Sequence, residues 1–491
     1  MHYISTRDNW EAEESKAVIR LGMVPDGGLF VPESYPRINI DVLKKCSAYN
    51  VCAYEVMKHF LTDFDESELK GIVEKSYGKN FHSPEIAPIY QIESNTAFLE
   101  LWHGPTAAFK DLALQCMPRL LINAMRSESD SINVMILVAT SGDTGKAALE
   151  GFRDVEGTKI ITFYPIEGVS SIQKYQMITT EGRNTIAVGV RGNFDDCQTA
   201  VKKAFQDRLL REAAAKRGFI FSSANSINWG RLVPQITYYF WAYLRMYKEG
   251  MIGWKEEINI CVPTGNFGNI LSSFYAYRMG LPVKRFICAS NMNNILTDFI
   301  NTGIYNIDRT FFTTVSPSMD ILISSNLERL IFDLEGKDGG RVEDYYNQLT
   351  SHKSFSLTKE AMDIINTLFY GDFATEEQTY KAINNVYSDH SYVLDTHTAV
   401  GYHVLRHYRE KTGDVTPTVL TATANPYKFP VAVYRGITGE EVADDFKALF
   451  LLHKKTNMPV HPCLLGIENR TVTNSDMIDP GEIGQYIERN L

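Results

Sequence analysis

The chain has 491 residues, 44% of them hydrophobic and 22% charged, with a net charge of −10 at pH 7. Those values fit a soluble globular protein of two or three domains and argue against nucleic acid or an anionic membrane surface as a partner. The seven cysteines (46, 52, 116, 197, 261, 288, 463) are odd in number and have no Cys-x-x-Cys spacing. Buried thiols in a reducing compartment are therefore expected, in place of a disulfide frame or a zinc site.

In chain order, Met1 to Asp8 lacks an apolar signal core, and no run nears the roughly 18 apolar residues of a membrane span. A cytoplasmic protein with no membrane partner is expected. Residues 1–90 read as a mainly helical N-terminal domain with an Asp26-Gly27-Gly28 turn, followed by a core over 91–450. Leu99 to Asp111 then sets Lys110 among aromatic and small residues, before the apolar helical run Leu112, Ala113, Leu114, Met117, Leu120 and Leu121. A lysine at such a junction is held partly out of water, which disfavours its ammonium form and readies the amine for a carbonyl.

From residue 132 onward short apolar runs alternate with amphipathic patterns, the mark of parallel βα units. Ile132 to Ala139 reads as a buried strand that enters the loop Thr140-Ser141-Gly142-Asp143-Thr144-Gly145, with a helix from Lys146. This loop is no P-loop. The first glycine of that motif falls on Thr140, and Ala147 stands where magnesium needs a hydroxyl. Its small hydroxyl residues suit a substrate carboxylate, bound with no full positive charge nearby. Further strands are expected at 159–164, 185–190 and 219–222, all within a smaller subdomain of about 130–235, with Asn193 or Asp195 capping a helix. Ile258 to Val262 is another strand, ending in Thr264-Gly265-Asn266-Phe267-Gly268-Asn269 and an apolar helix. Two glycines there let successive N–H groups converge at a helix N-terminus, a cradle for a phosphate dianion. A strand at 283–289, a charged helical insertion or peripheral layer at about 330–390, and a strand at 416–422 ending in Thr423 complete the core, with a tail over 451–491 packing on it. His403 and His407 are spaced like half a metal site, but Val404 breaks the His-Glu-x-x-His pattern, so no metal is assigned.

Several segments together resemble the threonine synthases of the longer form. They are Ser5-Thr6-Arg7, Asp26 to Pro32, His103 to Thr106 with Phe109-Lys110-Asp111, and Ser141 to Gly145. Gly192 to Gln198, Ser226 to Arg231, Pro263 to Asn269 and Ser316 to Asp320 follow, and Asp395 to Ala399 and Thr423 to Phe429 complete the set. The resemblance implies fold type II pyridoxal 5'-phosphate architecture: two open α/β domains with the cofactor between them, plus the N-terminal domain. It implies Lys110 as the lysine bonded to the cofactor, Gly265, Asn266, Phe267, Gly268 and Asn269 as its phosphate cradle, and Thr423 (or Thr421) opposite the ring nitrogen. Asn425 and Thr396 depart from the family, which usually has His and Pro there.

The implied reaction turns O-phospho-L-homoserine and water into L-threonine and phosphate. Thr140, Ser141, Gly142, Asp143 and Thr144 are candidates for the substrate carboxylate, and Lys174, Asn228 and Arg231 for its phosphate. A solvated helix charge is the plain alternative for Lys174, and a structural ion pair for Arg231. Two other readings stand beside this one: a related phospho-lyase giving 2-oxobutyrate, ammonia and phosphate, and a catalytically silent binding protein on the same fold. Monomer and homodimer are both compatible with the sequence.

Overall fold

The computed structural model describes residues 1–25, 27–126, 132–167 and 169–491, with the backbone alone at Asp195. Asp26 of the expected turn, and the side chain of Asp195 as a cap, lie outside the described residues. Strands β1 (His2–Ser5), β2 (Glu13–Glu14) and β3 (Phe30–Pro32) form a small antiparallel sheet. The hairpin of β4 (Ile89–Glu93) and β5 (Thr96–Glu100) follows. Next come β6 (Asn133–Ala139), β7 (Thr158–Pro165), β8 (Thr185–Val190) and β9 (Phe219–Ser222), then β10 (Ile258–Pro263) and β11 (Val283–Ser290). A two-stranded pair, β12 (Ile304–Asn306) and β13 (Ser354–Ser356), precedes β14 (Phe369–Phe373), β15 (Thr418–Ala422) and β16 (Met477–Ile478).

Two larger sheets carry the molecule. One has the order β14-β11-β10-β15-β5-β4 and is parallel except for the β4–β5 hairpin. The other has the order β16-β8-β7-β6-β9 and is parallel throughout. Their central strands are uninterrupted apolar runs because helices cover both faces: every residue of β10 is buried, and every residue of β6 but Asn133. The functional loops leave the carboxyl ends of β6, β10 and β15, where open α/β sheets present ligand sites.

One expectation changes, and two features of packing are added. The helix expected from Lys146 begins at Asp143, because Thr140 Oγ1 accepts the N–H groups of Gly142 (3.0 Å) and Gly145 (2.8 Å) and so satisfies the opening turn. Residues 1–90 have no core of their own. Tyr3, Ile19, Phe30 and Phe60 belong to the same apolar cluster as Leu120, Trp229 and Tyr275, with the Trp229 ring 5.1 Å from Tyr3 and 5.4 Å from Phe60. The 330–390 stretch is not wholly peripheral, since it supplies β14, an edge strand of the six-stranded sheet. Asn193 caps the helix Phe194–Gln206 through a box closed with Asp196. Among the described residues no helix is long and apolar enough to cross a membrane.

Candidate active site

Lys110 opens the short helix Lys110–Leu114 and is only 8% exposed. Its loop is sewn to the end of β15: Phe109 N–H donates to Thr423 O (2.8 Å), and Asn425 N–H to Ala107 O (3.0 Å). Beneath the loop, the Asp111 carboxylate accepts from Thr106 N–H (2.8 Å) and Thr106 Oγ1 (2.7 Å). The Lys110 Nζ lies 3.5 Å from Asp143 Oδ2. Burial pulls its ammonium down to about 8, with Asp143 opposing and the Arg231 and Lys428 charges adding to the effect.

The surroundings of Asp143 depart from expectation. Lys428, with no exposed surface, places Nζ 2.8 Å from Asp143 Oδ1, and Gln173 Nε2 donates to the same oxygen at 2.8 Å. Burial alone would push this carboxyl up, but Lys428 and Lys110 hold it well below the usual carboxylate range. The loop expected to lack nearby positive charge therefore ends on a carboxylate between two ammonium groups. Lys428 belongs to the Thr423 to Phe429 segment, but nothing in the local sequence joins it to Thr106, 322 positions away, whose carbonyl also receives its Nζ–H at 3.0 Å.

The turn after β10 is built to present donors. Ser324 Oγ donates to Gly265 O (2.7 Å), and Asn326 Nδ2 to Asn266 O (2.9 Å), so the carbonyls are tied back on one side. Among the described residues, no protein acceptor meets the N–H groups of Gly265, Asn266, Phe267, Gly268 or Asn269. Phe267 precedes the helix Gly268–Met279 with φ 61°, a left-handed conformation that costs a non-glycine residue about 1–2 kcal/mol. Its buried side chain anchors it there, the ring 6.4 Å from that of Phe369 on β14. Gly265 is required for space, since a Cβ on it would come within 2.6 Å of Ser318 O. Asn269 Oδ1 accepts from Tyr238 OH (2.6 Å) and from Tyr239 OH, and the buried Nδ2 has no partner among the described residues. Unmatched N–H groups and an orphaned amide beside a buried amine fit a ligand that carries both a phosphate and a carbonyl.

One cavity of about 760 Å³ gathers most of the expected residues: Lys110, Thr140, Ser141, Thr144, Arg231, the 265–269 turn and Thr423. Arg231 is 4% exposed, donates from Nη1 to Ala224 O at 2.8 Å, and keeps Nε unpartnered. Burial brings its guanidinium down to about 10, and no carboxylate is paired with it among the described residues. Thr423 stands on the cavity wall, and Thr421 lies back inside β15. Gly142 and Asp143 sit behind the wall, Gly142 pressed against Gln173.

Two expected phosphate ligands fall outside. Lys174 does not line the cavity. Asn228 caps the helix Trp229–Lys248, its Oδ1 taking Gly230 N–H (2.8 Å) and its Nδ2 donating to Ile19 O (3.1 Å) and Ser223 O (3.2 Å). Its polar capacity is spent on the fold. His397 does reach the cavity, where Nε2 accepts Ser318 N–H (3.2 Å) and Nδ1 faces Asp395 Oδ1 (3.0 Å), so the Nδ1 tautomer is set. Asn425 Oδ1 accepts Tyr427 N–H (3.0 Å), which caps the turn that carries Lys428. Thr396 is the first residue of the helix Thr396–Thr412, a position that accepts proline readily.

Two family models match the chain, described as threonine synthase N terminus over residues 2–77 and threonine synthase, C-terminal, over residues 398–460. Threonine synthase-like 1 of Macaca fascicularis is 40% identical over 486 residues, covering 94% of this chain and 64% of that protein. The chain thus spans just under two thirds of that relative's length. The threonine synthase of Pseudomonas aeruginosa is 38% identical over 446 residues, 90% of this chain and 92% of that one. A crystal structure of PLP-bound threonine synthase from Brucella melitensis matches with a TM-score of 0.88 at 33% identity, covering 100% of this chain and 99% of the other.

Proposed function

The chain belongs to the threonine synthase family and has its fold type II architecture, and we propose that it converts O-phospho-L-homoserine and water to L-threonine and phosphate with pyridoxal 5'-phosphate. The observation that carries this reading is the desolvated Lys110 amine in one cavity with the unmatched N–H groups of residues 265–269. When bound, the cofactor supplies an electron sink for the bond broken at the substrate's Cα.

The chain's own groups supply the rest. Lys110 Nζ takes the Cα proton and later returns one, a role suited to an amine that loses its charge near pH 8. Ser141 and Thr144 offer hydroxyls to the substrate carboxylate from the cavity wall. Arg231 meets the phosphate, because a buried cation without a carboxylate gains most from a dianion. Lys110 Nζ would also take a proton from Cβ. The phosphate leaves Cγ with the electrons of its C–O bond, and Cγ gains a proton to become the methyl group. Water gives its oxygen and one hydrogen to Cβ, while its other proton balances the departing phosphate. Thr423, on the cavity wall, would meet the cofactor's ring nitrogen with a neutral hydroxyl, which would not enforce the full charge that a carboxylate would.

Product analysis of the purified protein with cofactor and phosphohomoserine tests the proposal. Threonine and phosphate in equal amounts support it. Phosphate with 2-oxobutyrate and ammonia would replace hydration by elimination, and no phosphate release would sink both. Lys110→Ala is expected to lose turnover and the visible absorption of the bound cofactor together.

A further inference from the structure

We propose that Lys428 is a positioning residue for Lys110, acting through the carboxylate of Asp143 that the two lysines share. The inference rests on reading Lys110 as the reacting amine and adds a residue that sets its charge. Asp143 divides its oxygens: Oδ1 faces Lys428 Nζ (2.8 Å) and Gln173 Nε2 (2.8 Å), and Oδ2 faces Lys110 Nζ and Ser318 Oγ (both 3.5 Å). The contact joins separate parts of the fold. Asp143 opens a helix that follows β6 of the five-stranded sheet, and Lys428 follows β15 of the six-stranded sheet. Lys428 Nζ also donates to Thr106 O (3.0 Å), in the loop that presents Lys110.

The charges around this couple come from several elements. Lys110 is faced by Asp143, by Arg231 of the helix Trp229–Lys248, and by Lys428. Lys428 is faced by Asp143 and Asp111, with His461 and Cys463 farther out. A carboxylate next to Lys110 with no second cation would bind the proton of the Lys110 ammonium more firmly. Lys428 offsets that pull, and Asp143 in turn keeps Lys110 and Lys428 from repelling each other. The fully enclosed ammonium of Lys428 therefore lets Lys110 shed its proton near neutral pH while Asp143 still fixes the direction of its Nζ.

The charge of Lys110 is readable without turnover. Competitive labelling of the full-length, cofactor-free protein with acetic anhydride across pH, followed by peptide mass spectrometry, reports the titration midpoint of this amine. Lys428→Gln is expected to raise the midpoint by about one unit, a tenfold smaller free-amine fraction at pH 7. Asp143→Asn is expected to lower it by a similar amount, and Lys428→Arg to restore the wild-type midpoint. Unmoved midpoints in both neutral variants would overturn the proposal, as would a shift in Lys428→Gln with none in Asp143→Asn. If Lys428→Gln does not fold by circular dichroism, Lys428→Met takes its place in the same labelling, and an unmoved midpoint in it overturns the proposal. A failure to make threonine leaves the labelling result standing, so the two readings fall separately.

Discussion

A guanidinium held out of water with no carboxylate beside it is under-solvated until an anion arrives, and among the described residues Arg231 is in that position. Arg231→Met is expected to raise KM for phosphohomoserine by about 10- to 100-fold, the scale of a lost charged hydrogen bond, and to leave the cofactor's absorption unchanged. An unaltered KM removes Arg231 from the phosphate site. Lys110 makes the companion case for linkage. Its folded value of about 8 lies below the ordinary 10.5, so the unfolded chain binds more protons between those limits, and this group's contribution to stability rises with pH across that window. Below pH 8 the charged amine is retained at a cost. Cofactor-free Lys110→Met is therefore expected to exceed wild type in urea denaturation at pH 7, by a margin that shrinks as pH rises from 8 toward 10. A margin independent of pH would contradict the burial argument. At this scale the burial of Lys110 was legible from the apolar residues that follow it, Leu112 to Leu114, whereas the charges that face it are remote in the chain. The sequence misled where partners are remote. Asn228 offers strong donors on paper, but Ile19, 209 positions earlier, takes one of them.

The turn after β10 depends on other elements for its shape. Its carbonyls are held by Ser324 and Asn326, its left-handed Phe267 packs near a ring on β14, and its Gly265 lies against the Ser318 carbonyl. Gly265→Ala should push the turn away from Ser318 and weaken cofactor binding by about tenfold or more, on the scale of about 1–3 kcal/mol for overpacking. Titration of the visible absorption during reconstitution measures this, and an unchanged affinity would show that the turn adapts. Strands β6 and β10 were legible as apolar runs, because burial on both faces imposes that composition. β14 was not. Phe369 to Phe373 includes Gly371 and Asp372 and lies between the helices Lys359–Leu368 and Glu376–His390, so its short run merges with a helical region. β16 has two residues, too few for any period to show.

On the scale of the whole molecule, the helices of residues 1–90 were legible, but the sheet of β1, β2 and β3 was not, nor were the partners of the apolar faces. An amphipathic face shows that a partner exists, without showing whether the partner is local. Here the partners include Leu120, Trp229 and Tyr275. Deleting residues 1–90 strips cover from Trp229, which is fully buried in the intact chain. The fragment 91–491 is expected to be insoluble or to lack a cooperative thermal transition; a soluble fragment that still binds cofactor would restore the idea of a separable domain.

The pairing of β16 with β8 has a consequence for synthesis. Gly189 and Val190 find their outer neighbours only at Met477 and Ile478. A growing polypeptide on the ribosome thus carries β8 as an open sheet edge for nearly three hundred residues of translation. Open edges recruit strands from other molecules. The interval between emergence of β8 and arrival of β16 therefore leaves that edge uncovered, and a premature stop codon before residue 477 would leave it so permanently.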